Sequence, residues 1–226
     1  MQATFPHLAI AKAPQFRLLG QSLDPEESID GTDTVVPTMR GRWTATVSFV
    51  LRQEAALLQW RAFLMQMRGR VGTTPVPVYS RFRPRDRDGR GGRFNQIGNF
   101  DSSQTMEHWG FSNAPREQVM LNLNAGLRAT EIEVRYPDST GLRPGHYFSL
   151  RDRLYCARAV YLSRQTENGP RFSVEFDPPL REAVTAGMVV EINRPVCRMR
   201  LATEDEGIMD NAEIMQTVQA RFVEAL

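Results

Sequence analysis

At 226 residues, 41% hydrophobic and 24% charged, the chain has the makeup of one large or two small globular domains, unlike a disordered or membrane-embedded segment. No run approaches the roughly 18 apolar residues of a membrane span, and residues 1 to 7 lack the basic-then-apolar plan of a signal peptide, so a protein made in the cytoplasm is expected. A net charge of +2 argues against a surface given over wholly to nucleic acid, while Lys12, the only lysine, leaves arginine to supply nearly all the positive charge, a residue suited to interfacial ion pairs.

Residues 1 to 40 are interrupted by Pro6, Pro14, Pro25, Pro37, Gly20 and Gly31 and carry an acidic cluster from Asp24 to Asp33, so only short strands fit, one of them around Phe16 to Leu19. From Arg42 to Phe49 the alternation of Trp43, Ala45, Val47 and Phe49 with Thr44, Thr46 and Ser48 has the period of a half-buried strand. The period then changes. Ala56, Trp60, Phe63, Leu64 and Met67 fall at helical spacing within residues 52 to 68, and Gly69 is placed to end that helix. Thr73 to Tyr79 reads as a return strand that Pro75 and Pro77 confine to a sheet edge.

Periodicity disappears between residues 81 and 116. Arg81, Arg83, Arg85, Arg87, Arg90 and Arg93, with glycines between them and Phe82 and Phe94 alongside, form a charged loop of the length usually reserved for function or for a partner. It is the candidate interface, and two readings stay open: a protein-binding arm, or a contact with nucleic-acid phosphates and bases partly offset by Asp86 and Asp88. Residues 118 to 202 are β throughout, in short runs broken by Pro137-Asp138, Arg143 to Gly145, Asn168-Gly169, Asp177 to Pro179 and Ala186-Gly187. Asn168-Gly169 is the strongest hairpin signal, because a type I′ turn needs positive φ at both central residues. The acidic stretch Glu204 to Glu206 reads as an exposed, solvated turn. Residues 214 to 222 read as a strand, with a helix as the competitor since Ile214, Val218 and Phe222 recur every four residues.

These elements predict a mainly β chain with one prominent helix. Residues 1–80 and 203–226 form a discontinuous first domain, 81–117 an arginine- and glycine-rich arm, and 118–202 an inserted small barrel or sandwich. No phosphate loop, dinucleotide fingerprint, metalloprotease or hydrolase motif occurs. His7, His108 and His146 are scattered, Cys156 and Cys197 lack metal or redox spacing and read as core residues, and Glu131 and Glu133 share a strand face most simply explained as solvated. No cofactor, metal or catalytic residue is expected, and the chain is read as non-enzymatic; a cell-wall hydrolase would need convergent carboxylates or a metal site.

The segment Arg42 to Phe49, the helix with Ala55, Ala56, Trp60, Phe63 and Leu64, then Gly72 and a proline-containing strand, resembles the opening domain of phage tail-tip proteins. The stretch from Leu127 through Leu142 to Phe148, Leu154-Tyr155, Asn168-Gly169 and Phe176 to Arg181 is similar to the inserted β-domain of distal or minor tail proteins of long-tailed bacteriophages and gene transfer agents. The resemblance runs from Arg40 to Leu226; the arginine loop has no match in it. It implies a virion structural protein at the tail tip or baseplate, with a β-sandwich-like, tail-tube-type domain whose copies close into a homo-oligomeric ring, usually a hexamer. That ring would join the tail tube protein to the hub and to tape-measure or fibre proteins, with transient contact to genome DNA in its channel and none with membrane. A second class, a carbohydrate- or receptor-binding module of the tail, would need aromatics such as Tyr136, Tyr147 and Tyr155 clustered on one exposed face.

The glycines and like charges of residues 81 to 93 disfavour a packed conformation, and ordering each residue costs about 1–2 kcal/mol of backbone entropy. Limited trypsin digestion of the isolated subunit should therefore cut first within that stretch and leave it intact after assembly. Equal protection in both states would remove its interface role.

Overall fold

The computed structural model describes residues 2–24, 26–27, 33–80, 82, 119–136, 141–166, 169–209 and 215–226. The chain divides into two compact units, Met1–Tyr79 with Val196–Leu226, and Ser80–Pro195. The fold is mainly β with one helix among the described residues.

In the first unit an antiparallel sheet has the order β1 (Ala9–Leu19), β4 (Arg42–Leu51), β13 (Gln216–Glu224), β12 (Val196–Leu201), β5 (Thr74–Pro77). A separate pair is formed by β2 (Glu26–Glu27) and β3 (Asp33–Thr34). The alternation in β4 has its expected cause: Trp43, Ala45, Val47, Phe49 and Leu51 are buried on one face. Val218, Ala220 and Phe222 of β13 and Cys197, Met199 and Leu201 of β12 continue that apolar layer. Helix α1 (Glu54–Met67) covers it with Trp60, Phe63 and Met67. Phe5 packs against Phe49 and Phe222, with ring centroids 5.7 and 6.5 Å apart.

Three details differ from the sequence reading. The first strand runs from Ala9, well before Phe16, because register irregularities between Ile10 and Gln15 absorb Pro14 without ending the strand. The left-handed residue that closes α1 is Arg68 (φ 48), whose N–H reaches the carbonyls of Leu64 and Met65, with Gly69 following at φ 64. Val196–Leu201, read as the end of the inserted domain, is instead the fourth strand of the first unit's sheet, paired with β5 on one side and β13 on the other. The terminal segment is a strand, since β13 lies between β4 and β12, where period-2 burial of Val218, Ala220 and Phe222 governs. Ile214 lies outside the described residues. Prolines 75 and 77 do sit on an edge strand.

Two glycines are dictated by contact. A Cβ on Gly72 would lie 2.6 Å from the Met67 carbonyl oxygen, where the chain folds back and the Gly72 N–H bonds that oxygen at 2.7 Å. A Cβ on Gly207, at φ 74, would lie 2.4 Å from the Trp60 ring, whose Nε1–H donates to the Gly207 carbonyl at 2.9 Å.

The second unit is a six-stranded sheet, β11 (Val190–Glu191), β8 (Tyr147–Leu150), β9 (Arg153–Thr166), β10 (Gly169–Asp177), β7 (Glu131–Arg135), β6 (Met120–Leu121). Its ends meet: Leu121 N–H donates to Met188, Gly187 N–H to Leu121, and Val190 N–H to Val119, at 2.8–2.9 Å, so the sheet closes into a barrel. Its interior is filled by side chains, with Phe176 edge-on to both Phe148 and Tyr155 at 5.6 and 5.1 Å. β9 and β10 pair as a hairpin from Thr166–Gly169 outward, so Gly169, expected as a central turn residue, is instead the first residue of β10; Asn168 lies outside the described residues.

Gly207→Ala should destabilise the protein by about 2–4 kcal/mol, since the new methyl meets a fully buried indole at a backbone conformation that L residues disfavour. Urea unfolding followed by Trp fluorescence measures this. A change within a few tenths of a kcal/mol would show that Trp60 and Gly207 are not locked together.

Candidate functional site

The sequence-predicted interface, Arg81, Arg83, Arg85, Arg87, Arg90, Arg93 and Phe94, lies outside the described residues, as do Asp86, Asp88 and His108. What is described beside it is Ser80 and Phe82. The Phe82 ring is 83% exposed, and the Ser80 hydroxyl accepts from the Phe82 N–H at 3.2 Å and donates to its carbonyl.

Several of the described charged residues pair with one another. On the outer face of the barrel Glu133 accepts hydrogen bonds from Asn122 and from the Ser163 hydroxyl at 2.9 Å, and Arg171 stands 3.7 Å from it. Glu131, its neighbour two residues away, accepts from the Ser173 hydroxyl. The two carboxylates share a face, as period 2 requires, but each is anchored on cross-strand hydroxyls and, for Glu133, an arginine. That arrangement stabilises a sheet face and does not present two carboxylates across a substrate gap. Arg158 bridges Glu175 and Asp177 at 3.0 and 3.6 Å, and Glu182 pairs with Arg151 and Arg153 at 2.9 and 3.5 Å.

The acidic turn 204–206 is only partly the exposed turn expected from sequence. Glu204 and Asp205 are exposed, whereas Glu206 is buried and accepts from Arg221 Nε and Arg221 N–H, both at 2.8 Å, and from the Thr203 hydroxyl at 3.1 Å. Its function is to pin the loop to β13 and so to present Gly207 to Trp60. Sequence reasoning missed it because three consecutive acids give no signal of which one turns inward. Glu224 is likewise buried, and its carboxylate accepts from Trp43 N–H at 3.1 Å, tying the end of β13 to the start of β4.

Of the tyrosines that a glycan-binding face would need, Tyr136 and Tyr155 are inside the barrel, at 3% and 1% exposure, and only Tyr147 is half-buried. Burial pushes the Tyr136 phenol well above its ordinary range, and the Tyr155 hydroxyl accepts from Arg181 N–H at 3.3 Å. The predicted aromatic platform is therefore not formed by these three residues, because two of them face inward in strand register. Tyr161 on β9 is exposed instead. Cys197 is buried as expected; Cys156 is half-buried, and desolvation, followed by the charge of Asp177, raises its thiol pKa away from reactivity. Among the described residues no group of three His, Cys, Asp or Glu side chains is placed to hold a metal ion, and no helix is long and apolar enough to cross a membrane.

His146 is half-buried in the barrel unit. Its Nδ1 accepts from the Arg143 N–H at 3.1 Å, and burial, then the Arg143 charge, lowers its pKa below the ordinary 6.5. The folded protein thus binds this proton less readily than the unfolded chain. The resulting contribution to stability is complete above pH 6.5 and is lost as pH falls through the folded-state pKa. An NMR titration of the His146 ring should give a midpoint below 6.5, and His146→Gln should flatten the decline of stability in that window; a midpoint above 6.5 would contradict this environment.

Compared with known proteins, the chain matches no family model and no curated protein.

Proposed function

We propose that the chain is a structural subunit of the tail tip of a long-tailed bacteriophage or gene transfer agent, in which copies close into a ring joining the tail tube to the hub and fibres. The observation that carries this reading is the nesting of the two units. An antiparallel sheet with one covering helix is interrupted after β5 by a self-contained barrel and is resumed by β12 and β13. That is the order of parts implied by the resemblance of Arg42 to Phe49, of the Trp60 helix and of the Leu142 to Arg181 stretch to distal tail proteins. The described surface chemistry agrees with a building block. Carboxylates and arginines are used in cross-strand pairs, and the barrel interior is occupied by its own side chains. A ring of this kind is heterologous, each subunit offering two different faces to its neighbours.

Negative-stain electron microscopy of the purified protein should show closed rings, and antibody labelling of particles should place the subunit in several copies around the tail axis, at the end distal to the head. A protein absent from particles, or located on the head, would overturn the assignment.

A further inference from the structure

The hairpin of β9 and β10 runs past the barrel that it begins in. On the edge of β9 away from β10, strand β8 pairs with Arg153–Cys156, and the Ala157 N–H donates to the His146 carbonyl at 2.9 Å. On its other edge β9 stays paired with β10 as far as Thr166. From Arg158 to Gln165 the first of these edges has no strand beside it among the described residues, so the backbone N–H and C=O groups of alternate residues point into the gap. The first unit's edges are interrupted by Pro14, Pro75 and Pro77. This edge has neither proline nor lysine, and between two irregularities of the β9–β10 register lies the apolar run Ala159-Val160-Tyr161-Leu162. Tyr161 and Leu162 are 57% and 60% exposed.

The two faces of this edge differ in character. On one, Val160 stands opposite Val174 and Leu162 opposite Phe172, residues that form or pack on the barrel core, so the apolar layer continues past the barrel wall. The other face carries Arg158, Tyr161 and Arg164, all exposed. Arg164 stands directly opposite Arg171, and Arg171 directly opposite Arg135, which puts three cations in one row across adjacent strands. Like charges so placed destabilise a sheet. Among the described residues one acid pairs with the row, Glu133 at 3.7 Å from Arg171, and it also accepts from Ser163 and Asn122. The Arg171 Nε is buried with no hydrogen-bond partner among the described residues.

We propose that the free edge of β9 takes up, as an added strand, an extended segment of another protein in which acidic and apolar residues alternate. The segment's backbone completes the unpaired N–H and C=O groups, and its apolar side covers Val160 and Leu162. Its acidic side meets Arg164 and supplies the negative charge that the arginine row lacks. A nucleic acid would meet the arginines but has no regular row of donors for the edge carbonyls. A second copy's β9 is a poorer match, since residues 158 to 165 include two arginines and no acid. This contact gives the barrel unit a partner of its own and does not depend on the ring reading.

The test titrates a blocked nine-residue peptide of alternating valine and glutamate into the full chain by isothermal calorimetry. It should bind 1:1 and more weakly as salt rises. The counterpart with lysine in place of glutamate should bind roughly tenfold or more weakly. The valine–glutamate peptide with every amide N-methylated keeps its charge but cannot donate to a strand, and its binding should be lost. Arg164→Glu changes an exposed side chain, and circular dichroism with thermal unfolding verifies its fold. This variant should lose roughly tenfold in affinity for the glutamate peptide and gain affinity for the lysine peptide. No binding of the glutamate peptide up to millimolar concentration, equal binding of its N-methylated form, or an Arg164→Glu variant that binds both peptides as the wild type does would each overturn the proposal. The ring reading would stand in every one of these cases, because particle microscopy decides it separately.

Discussion

The indole of Trp60 ties together stretches of the first unit that are far apart in sequence. Its ring lies 4.9 Å from Phe49 of β4 and 5.4 Å from Phe63 one turn along α1, and its N–H is satisfied by the carbonyl of Gly207, which leads toward β13. A fully buried indole needs that partner, since an unsatisfied donor costs about 1–3 kcal/mol. Gly207 has no side chain because there is no room for one, and Glu206 is buried because the loop must be held at the height where the carbonyl meets the indole. The helix, strand β4 and the returning terminal segment are thereby made one core despite the long excursion of the chain between them.

That excursion folds on different terms. The barrel closes through a few backbone hydrogen bonds between residues 119–121 and 187–190, so the outermost strands protect each other. Its interior is an aromatic cluster of Phe148, Tyr155 and Phe176 with aliphatic neighbours. Its exterior is a ladder of hydroxyls, carboxylates and arginines that satisfy one another across strands. A filled inside and a paired outside describe a module that holds its shape.

The first unit balances its surface differently. Its sheet edges are blunted by proline and irregular register, while Leu23, Val36, Leu58 and Met65 leave apolar side chains in water. Blunted edges suppress indiscriminate pairing of strands.

Local pattern determined a good deal of this protein. Period-2 burial in β4, the helical spacing of Trp60, Phe63 and Met67, the edge position of Pro75 and Pro77 and the β9–β10 hairpin all follow from sequence, because each depends on the side chains of one short segment. The arginine loop was the legible candidate site by composition, but composition says nothing of what it touches. Partnership between distant segments was decided by tertiary structure alone. Val196–Leu201 joined the first unit because β5 and β13 offered it two partners, Glu206 and Glu224 turned inward because Arg221 and Trp43 N–H were waiting for them, and Tyr136 and Tyr155 faced the barrel interior because strand register placed them there. The exposure of Leu23, Val36, Leu58 and Met65 belongs to the same class: an apolar residue in a sequence looks like core, and only the packing of everything else shows that no core remained for it to enter.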